Sequence, residues 1–330
     1  MKLAQIFSNH MVLQQNKPMR VFGEGEGEIR VTFLGQTKIA SADGRWLVEF
    51  DARPCGGPYE MTVESNGESV TFTDIMIGEV LLCSGQSNMQ FHLSEEITSP
   101  EEYRSDPMMR TFVSRRPECS EPFQPEDGWQ PCQKETAGNW TAIGYHTARE
   151  LRRTRNCAVG VIACSQGASI IQSWIDEKVY ETSFLYDPEV VPFHKKRCPA
   201  YTWNEDGMLY HFMLEPLIPY SVGSVIWYQG ESNAFLSDPD HYVELLAMMI
   251  GSWRLVFGDP SLPFYVVQIA DFVHAGDQAR WKKIQEEQLR AERVIPCVKT
   301  VVCADICESD DIHPKTKYRL AARIAAAMEE

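Results

Sequence analysis

From about residue 80 onward, short apolar segments alternate with amphipathic ones, and this alternation limits the possible folds more than any other feature of the sequence. The apolar segments are typical of buried strands, and the others carry apolar residues at three- and four-residue spacing, as helices covering a core do. A parallel sheet covered by helices is therefore predicted. We expect strands near residues 80–83, 110–114, 158–164, 224–227, 264–269 and 298–303, and helices near residues 143–155, 241–257, 278–292 and 314–328.

The sequence before this region has a different pattern. Up to about residue 73 it consists of short runs of alternating apolar and polar residues, with turn signals such as Asp43-Gly44 and Asn66-Gly67. This pattern predicts a small antiparallel β domain over residues 1–75, followed by an α/β domain over residues 76–330. Residues 117–139 and 176–206 lack regular periodicity, and we expect both to loop over the sheet.

Charge and the absence of long apolar runs exclude several classes of partner. The chain has 46 acidic and 31 basic residues and a net charge of -15, so its average field repels nucleic acid and anionic lipid. The N-terminal segment lacks the apolar run of a signal peptide, and no other stretch is long enough to span a membrane. We therefore expect a cytoplasmic protein that binds neither nucleic acid nor membrane.

The ten cysteines are expected to be reduced, because several of them lie inside apolar runs where a thiol packs as a small hydrophobic group. Cys83, Cys164 and Cys303 are examples. The sequence contains no CxxC pair and no HExxH motif, and Cys303 and Cys307 lack a second pair that would complete a zinc site. We predict that the protein needs no metal and no cofactor.

Small and polar residues follow the predicted strands, and the first such segment, residues 84–89, contains Ser87. In an open α/β sheet the ligand crevice lies beyond the carboxyl ends of the strands, so a hydroxyl at this point is a candidate nucleophile. Backbone N–H groups near the start of a following helix would be available to an oxyanion. The alternative is that Ser87 or Asn88 only caps that helix.

Two further strand ends carry possible oxyanion donors. Gly167 follows the third strand and could bring its N–H close to a ligand, although an ordinary tight turn also explains a glycine there. Asn233 follows the fourth strand and could donate its side-chain amide. Alternatively, Ser232 and Asn233 satisfy their own backbone.

Near the C-terminus, the segment of residues 309–314 contains Asp310, Asp311 and His313, with Pro314 placed to open the last helix. One interpretation is that the acidic residues favour a helix N-terminus and that His313 is an exposed bystander. The other is that one loop delivers an acid and a base together, the acid fixing the imidazole tautomer so that the other nitrogen takes a serine proton.

Together, a serine, a glycine N–H, an asparagine amide and an Asp/His loop after separate strands of one sheet match the requirements of acyl transfer. A GxSxG motif would have indicated the α/β-hydrolase fold. Ser87 is instead followed by Asn88-Met89, and the acid lies beside the histidine, so that fold is rejected.

Three of these segments resemble the sialate O-acetylesterase family of SGNH hydrolases. Residues 78–89 read GEVLLCSGQSNM, residues 227–234 read WYQGESNA and residues 311–314 read DIHP. The likeness extends to residues 6–8, 11–14 and 56–59 of the N-terminal region, so it covers most of the chain. It implies an α/β fold, a three-layer α/β/α SGNH-hydrolase (flavodoxin-like) parallel sheet with a small N-terminal all-β domain.

The resemblance also implies roles for individual residues. Ser87 is the nucleophile, His313 the base, and Gly167 and Asn233 the oxyanion donors beside the Ser87 N–H. The family pattern Asp-Ile-His makes Asp311 the acid, whereas the wider SGNH spacing of three residues before the histidine points to Asp310. Ala168 departs from the family, which usually has a second glycine after Gly167.

Gln86 and Glu231 are the expected substrate-binding residues, which would order the site or contact sugar hydroxyls. A structural pairing between them is the alternative.

The activity that the resemblance implies is hydrolysis of O-acetyl esters on a small sugar substrate, O-acetylated sialic acid, through an acyl-enzyme on Ser87. Two other functions remain open. The same groups would serve an acetylesterase of xylan or other oligosaccharides. A carbohydrate-binding protein that has lost turnover is the alternative outside enzymes, and the intact Ser87, His313 and adjacent aspartate weigh against it.

Overall fold

A mixed β-sheet runs through the part of the chain that the computed structural model describes, namely residues 1–114, 127–235 and 239–330. Its strands are β1 (Lys2–Leu3), β2 (Val12–Gln14), β3 (Met19–Phe33), β4 (Gln36–Phe50), β5 (Gly56–Ser65), β6 (Glu68–Gly85), β7 (Asp106–Val113), β8 (Gln130–Cys132), β9 (Ala158–Ser165), β10 (Ser224–Tyr228), β11 (Phe264–Val267) and β12 (Val298–Val301).

The helices lie mainly after β6. They are α1 (Ser87–Gln90), α2 (Ala142–Thr154), α3 (Glu177–Glu181), α4 (Val190–Arg197), α5 (Tyr242–Phe257), α6 (Gln278–Val294) and α7 (Lys317–Ala327). Short 3-10 segments occur at Leu93–Glu95, Pro100–Glu102, Ala137–Asn139, Ile171–Trp174, Glu215–Leu217, Asn233–Phe235 and Pro239–His241, and one π-helical turn at Tyr210–Leu214.

The six strands predicted after residue 75 all form, and they pair in parallel in the order β7-β9-β6-β10-β11-β12. The expected α/β class is therefore confirmed. Apart from β7, which pairs beyond β9, the strands follow the order β9-β6-β10-β11-β12, and this corresponds to the 2-1-3-4-5 order of a flavodoxin-like sheet. The three-layer SGNH arrangement stays a prediction. The segment between β6 and β7 holds only single helical turns, and the first full helix, α2, lies in the connection from β7 to β9.

Successive residues of the central strand β6 contribute to two separate cores. Val80 and Leu82 belong to a core that includes residues of α5 and α6, whereas Leu81 and Cys83 belong to one that includes residues of α2 and α7. This alternation explains the continuous apolar pattern of the strand, because both of its faces are buried.

The N-terminal strands β3, β4 and β5 pair antiparallel, and β5 pairs with the first half of β6. The expected turn at Asn66-Gly67 connects β5 and β6. The expected turn at Asp43-Gly44 is wrong, because these residues lie inside β4 and pair with Glu26 and Gly25 of β3. The β3–β4 hairpin turns instead at residues 34–35, where both residues have positive φ.

Strand β6 crosses the predicted domain boundary at residue 75 without interruption. Its first half pairs with the antiparallel strand β5 and its second half with the parallel strands β9 and β10. The division into residues 1–75 and 76–330 stays a prediction.

The predicted helices form close to their expected bounds, with one correction. The last helix was expected to begin at Pro314, but α7 begins at Lys317. Thr316 holds the preceding residues in a loop, since its hydroxyl donates to Ile306 O and Glu308. His313 therefore lies on a loop before the helix.

The two stretches without periodicity contain more structure than expected. Residues 176–206 include α3, which Asp176 caps by accepting from the N–H of Lys178, and α4. Residues 117–126 of the other stretch lie outside the described residues, and its described remainder contributes strand β8. Within the described chain, no helix has the length and apolar character needed to cross a bilayer.

Candidate active site

Ser87 lies directly beyond the carboxyl end of β6, and a glycine makes that position possible. Gly85 has φ of 134°, and a Cβ there would lie 2.1 Å from the carbonyl oxygen of Tyr228. Only glycine tolerates this approach. Gln86 donates its N–H to the same carbonyl at 2.9 Å, and Ser87 then opens α1.

The structure brings Ser87 and His313 together, as the sequence predicted. His313 Nε2 lies 2.8 Å from Ser87 Oγ, although 226 residues separate the two in sequence. The Phe91 ring stacks against the imidazole with centroids 6.2 Å apart and planes at 29°. Helix capping therefore does not explain Ser87, and His313 is not an exposed bystander.

The environment of His313 keeps its imidazole neutral, which is the form that accepts a proton. Burial and the positive charge of Lys317 lower the pKa of His313 below its ordinary value of 6.5, while Asp311 and Glu95 act in the opposite direction. The Ser87–His313 pair thus has the distance and the protonation state of a nucleophile and its general base.

The two candidate acids differ in their contacts. Asp311 is half-buried and its Oδ1 accepts a hydrogen bond from the backbone N–H of His313 at 2.9 Å, whereas Asp310 is exposed. In residues 1–114, 127–235 and 239–330, no carboxylate is hydrogen-bonded to His313 Nδ1. Asp311 as the acid stays a prediction, and its closer contact favours it over Asp310.

Gly167 lies beside Ser87. A Cβ on this glycine would be 3.6 Å from Ser87 Cβ, an ordinary contact distance, and 3.2 Å from Gln90 Oε1. Its N–H donates to Gln90 Oε1 at 2.7 Å. The Gly167 N–H is thus already paired, and it could donate to a substrate oxyanion only after Gln90 is displaced.

Asn233 is fully buried and connects two loops of the site. Its Oδ1 accepts from the backbone N–H of Ile171 at 3.1 Å and from Gln229 at 2.7 Å, and its Nδ2 donates to Gln172 at 3.2 Å. These bonds hold the Asn233 amide group between two loops. The alternative, in which the side chain pairs with the backbone of its own loop, does not describe these contacts. The donor role of Gly167 and Asn233 stays a prediction.

Gln86 and Glu231 are both buried, with 3% and 2% of their surface exposed. Gln86 Oε1 accepts from the backbone N–H groups of Gly230 and Ser232, at 3.3 and 3.2 Å, on either side of Glu231. Glu231 Oε1 accepts from Asn88 Nδ2 at 2.6 Å. Gln86 thus orders the loop that carries Glu231, and such burial favours this role over contact with sugar hydroxyls.

The sequence analysis missed several neighbours of the catalytic pair, chiefly Lys317, Glu95 and Gln90. Lys317 carried a signal, since it lies at helical spacing from the buried residues Leu320 and Ala321 and so belongs to the apolar face of α7. Glu95 and Gln90 carried none, because their contacts depend on how the loops meet in three dimensions.

Among the described residues, one group has metal-ligand character, namely Asp176, Glu177 and His211. Both ring nitrogens of His211 are already paired, one with Glu177 and the other with Glu215 at 2.8 Å. Burial alone would lower the pKa of His211, but these two partners raise it. The group is thus accounted for as an ion-pair cluster.

Comparison with known proteins identifies the family of this chain. Residues 78–330 match the family model of carbohydrate esterases described as sialic acid-specific acetylesterases. The chain belongs to this family. The matched residues include Ser87, Asn233 and His313. The match confirms the expected family and the prediction that the protein is a carboxylic ester hydrolase.

Relatives of this esterase align along nearly its whole length. Human sialate O-acetylesterase is 26% identical over 367 residues, covering 98% of this chain and 69% of the human protein. A carbohydrate acetylesterase from Xanthomonas citri is 30% identical in sequence and superimposes with a TM-score of 0.87, covering 99% of this chain and 74% of that one. A protein from Arabidopsis thaliana, 19% identical with a TM-score of 0.50 over 76% of this chain and 97% of its own, shares the fold alone.

Proposed function

We propose that this esterase removes O-acetyl groups from sialic acid through an acetyl-enzyme on Ser87. The observation that carries the proposal is the 2.8 Å contact between Ser87 Oγ and His313 Nε2 at the carboxyl edge of the parallel strands. The neutral imidazole there is able to accept the hydroxyl proton as the oxygen attacks the acetyl carbonyl.

The reaction follows in two steps. Ser87 Oγ bonds to the acetyl carbon while His313 takes its proton, and the tetrahedral oxyanion is held by the N–H groups of Ser87 and Gly167 and the Asn233 amide. His313 then returns the proton to the sugar oxygen, which leaves as a hydroxyl. In the second step His313 deprotonates a water that attacks the acetyl carbon, and the bond from that carbon to Ser87 Oγ breaks as His313 returns the proton to this oxygen. Acetate leaves and Ser87 is restored.

Asp311 is the proposed acid of the triad. Its charge favours the imidazolium that forms in each transition state, and its hydrogen bond to the His313 N–H keeps the carboxylate beside that residue.

The choice of sialic acid rests on the family match and on relatives such as the human enzyme, which are named sialate O-acetylesterases. A second candidate, a broader carbohydrate acetylesterase, is favoured by the description of the Xanthomonas citri protein, which names no particular sugar. The difference would lie in loops, because the catalytic groups serve any acetyl ester.

Acetate release from O-acetylated sialic acids and from acetylated xylo-oligosaccharides, at equal concentrations, tests the substrate. We expect a higher kcat/KM with sialic acid esters. A preference for the xylo-oligosaccharides would overturn that assignment and leave an esterase of different specificity. Hydrolysis of neither substrate, nor of p-nitrophenyl acetate, would favour the carbohydrate-binding alternative.

We also propose the finer architecture and the compartment. The two cores on either side of β6, with α2 and α7 in one and α5 and α6 in the other, support a three-layer α/β/α SGNH unit preceded by a β domain at residues 1–75. Nine cysteines of the described chain are free thiols, which supports a reducing, cytoplasmic location. Microscopy of the tagged chain in cells tests the cytoplasmic location.

A further inference from the structure

A buried ionic cluster lies directly behind the catalytic pair. It consists of Lys317, Glu231 and Asn88, of whose surface 0%, 2% and 1% is exposed. Lysine and glutamate are almost never fully buried unless they are paired. The acyl-transfer chemistry proposed above uses none of these three side chains.

Donor and acceptor chemistry fixes the orientation of the Asn88 amide. Lys317 Nζ has only donors, so it contacts Asn88 Oδ1. Two groups that only accept lie on the other side, Glu231 Oε1 at 2.6 Å and the carbonyl oxygen of Ile312 at 2.9 Å, and both receive hydrogen bonds from Asn88 Nδ2. If the amide were reversed, its NH₂ group would face the Lys317 ammonium, and its oxygen would face the Glu231 carboxylate and the Ile312 carbonyl.

This orientation connects the two catalytic residues through the backbone. Asn88 follows Ser87 in the chain, and Ile312 precedes His313. The hydrogen bond from Asn88 Nδ2 to Ile312 O therefore links the loop that carries His313 to the turn that carries Ser87. We propose that Lys317 is a positioning residue for the esterase reaction: through Asn88, its buried ammonium holds His313 in register with Ser87. The inference rests on the catalytic roles proposed for those two residues.

The position of Lys317 also lets its charge act on His313. Its Nζ lies 5.0 Å from the ring centroid of Phe91, which stacks on His313, and 5.3 Å from that of Tyr228. The charged groups that influence His313 are Lys317 on α7, Asp311 on its own loop and Glu95 on the 3-10 segment Leu93–Glu95.

Lys317 in turn faces four titratable groups, namely Cys303, Cys307, Glu231 and Glu308. Burial lowers the pKa of Lys317 to about 8 although these neighbours favour its charged form, and the side chain therefore still carries a substantial positive charge at pH 7.

Loss of the ammonium would affect the cluster through Glu231. Burial already raises the pKa of Glu231, and its Oε2 has no hydrogen-bond partner within the described residues. Without Lys317 this carboxylate favours protonation, because the positive charge beside it is gone. Asn88 Oδ1 would also lose its donor, so the Asn88 amide, and with it the hydrogen bond to the Ile312 carbonyl, would be held less firmly.

The test compares Lys317→Met and Lys317→Gln with Lys315→Met, a matched control because Lys315 is exposed on the same segment. Glutamine keeps a donor for Asn88 but removes the charge. Each variant is assayed with p-nitrophenyl acetate across pH, with thermal unfolding and active-site titration to count folded, reactive sites.

We expect Lys317→Met to lower kcat per reactive site by roughly 10-fold to 100-fold, the order of loss that misplacement of reacting groups by about 1 Å produces. Lys317→Gln should lose less. In both variants the acid limb of kcat/KM should move to higher pH, because a positive charge that opposes protonation of His313 is gone. Lys315→Met should match the wild type in both respects.

A purely structural role for Lys317 would lower the melting temperature and the number of reactive sites without moving the acid limb. An unchanged acid limb in Lys317→Gln, or unchanged kcat per site in Lys317→Met, would overturn the proposal. If Lys317→Met does not fold, the acid limb of Lys317→Gln decides. A Ser87→Ala variant that retains activity would instead refute the proposed catalytic pair itself.

Discussion

The two aspartates that precede His313 differ in their contact with this residue and in their exposure to solvent. Asp311 accepts a hydrogen bond from the backbone N–H of His313 at 2.9 Å and favours the protonated form of the imidazole, whereas Asp310 is exposed to solvent. A carboxylate that stabilises the imidazolium in the transition state contributes far more to the rate than one at the surface.

Asp311→Asn should therefore reduce kcat more than Asp310→Asn does. Asparagine retains an acceptor for the backbone N–H of His313, so the change removes mainly the charge. Because Asp311 is not bonded to the imidazole, we expect a loss below the roughly 10³ to 10⁴ that removal of a triad acid bonded to it produces. The acid limb should also move to lower pH. A larger defect in Asp310→Asn, measured at saturating substrate, would reverse the assignment.

The wild-type pH profile should reflect the lowered pKa of His313. The neutral form is the active base, so kcat/KM should fall as the pH drops through that pKa, with a midpoint below 6.5. p-Nitrophenyl acetate is suitable because it does not ionise in this range. A midpoint at or above 6.5 would show that burial and Lys317 do not control the base.

Residues in contiguous motifs at strand ends could be predicted from the sequence, and Ser87 and His313 are examples. Their neighbours could not be predicted in the same way. Gln90 reaches Gly167 across 77 positions of sequence, and Lys317 reaches Asn88 across 229, and no local pattern marks either contact.

At the scale of elements, the turn after β9 contains backbone strain close to Ser87. Ala168 has φ of 56°, in the left-handed region that side chains disfavour. The family resemblance implies a second glycine at this position, and this chain has alanine there.

Ala168→Gly should raise the free energy of unfolding by about 1 kcal/mol, since relief of left-handed strain outweighs the added freedom of the unfolded chain. Ala322→Gly is the matched control, because Ala322 is an exposed residue inside α7 and its replacement should lower stability by about 1 kcal/mol. Urea unfolding measures both changes. Destabilisation by Ala168→Gly would contradict this account of the turn.

The elements themselves followed from hydrophobic pattern, but their order and ends did not. Apolar runs predicted the parallel strands because both faces are buried. The same runs contain no information on which strands are neighbours, so they do not predict that β9 lies between β7 and β6. The start of α7 was missed because the contacts of Thr316 with Ile306 and Glu308 are tertiary.

Across the whole molecule, the N-terminal strands and the α/β region share one core and one long strand, β6. Polar contacts also join them. Lys17 Nζ lies 2.6 Å from Asp259 Oδ2, and the Tyr220 hydroxyl donates to the Val12 carbonyl at 2.6 Å. The β strands therefore depend on the α/β region for burial of their apolar side chains.

We expect the two regions to unfold in one cooperative transition. Tyr220→Phe leaves the buried Val12 carbonyl without its donor, which should lower stability by about 1 to 2 kcal/mol. Hydrogen exchange of peptides from β3 and from β9 in urea should show the same decrease in both. Loss of protection in β3 at a lower urea concentration than in β9 would show that the β domain unfolds independently.

The central claim, that Ser87 is the nucleophile of a sugar O-acetylesterase, is tested most directly by acetate release from Ser87→Ala. Ser309→Ala is the matched control, because Ser309 is exposed on the His313 loop. With unchanged thermal unfolding, Ser87→Ala should lose activity about a thousandfold or more, while Ser309→Ala stays near the wild type. Retention of more than about a tenth of wild-type activity by folded Ser87→Ala would contradict the account.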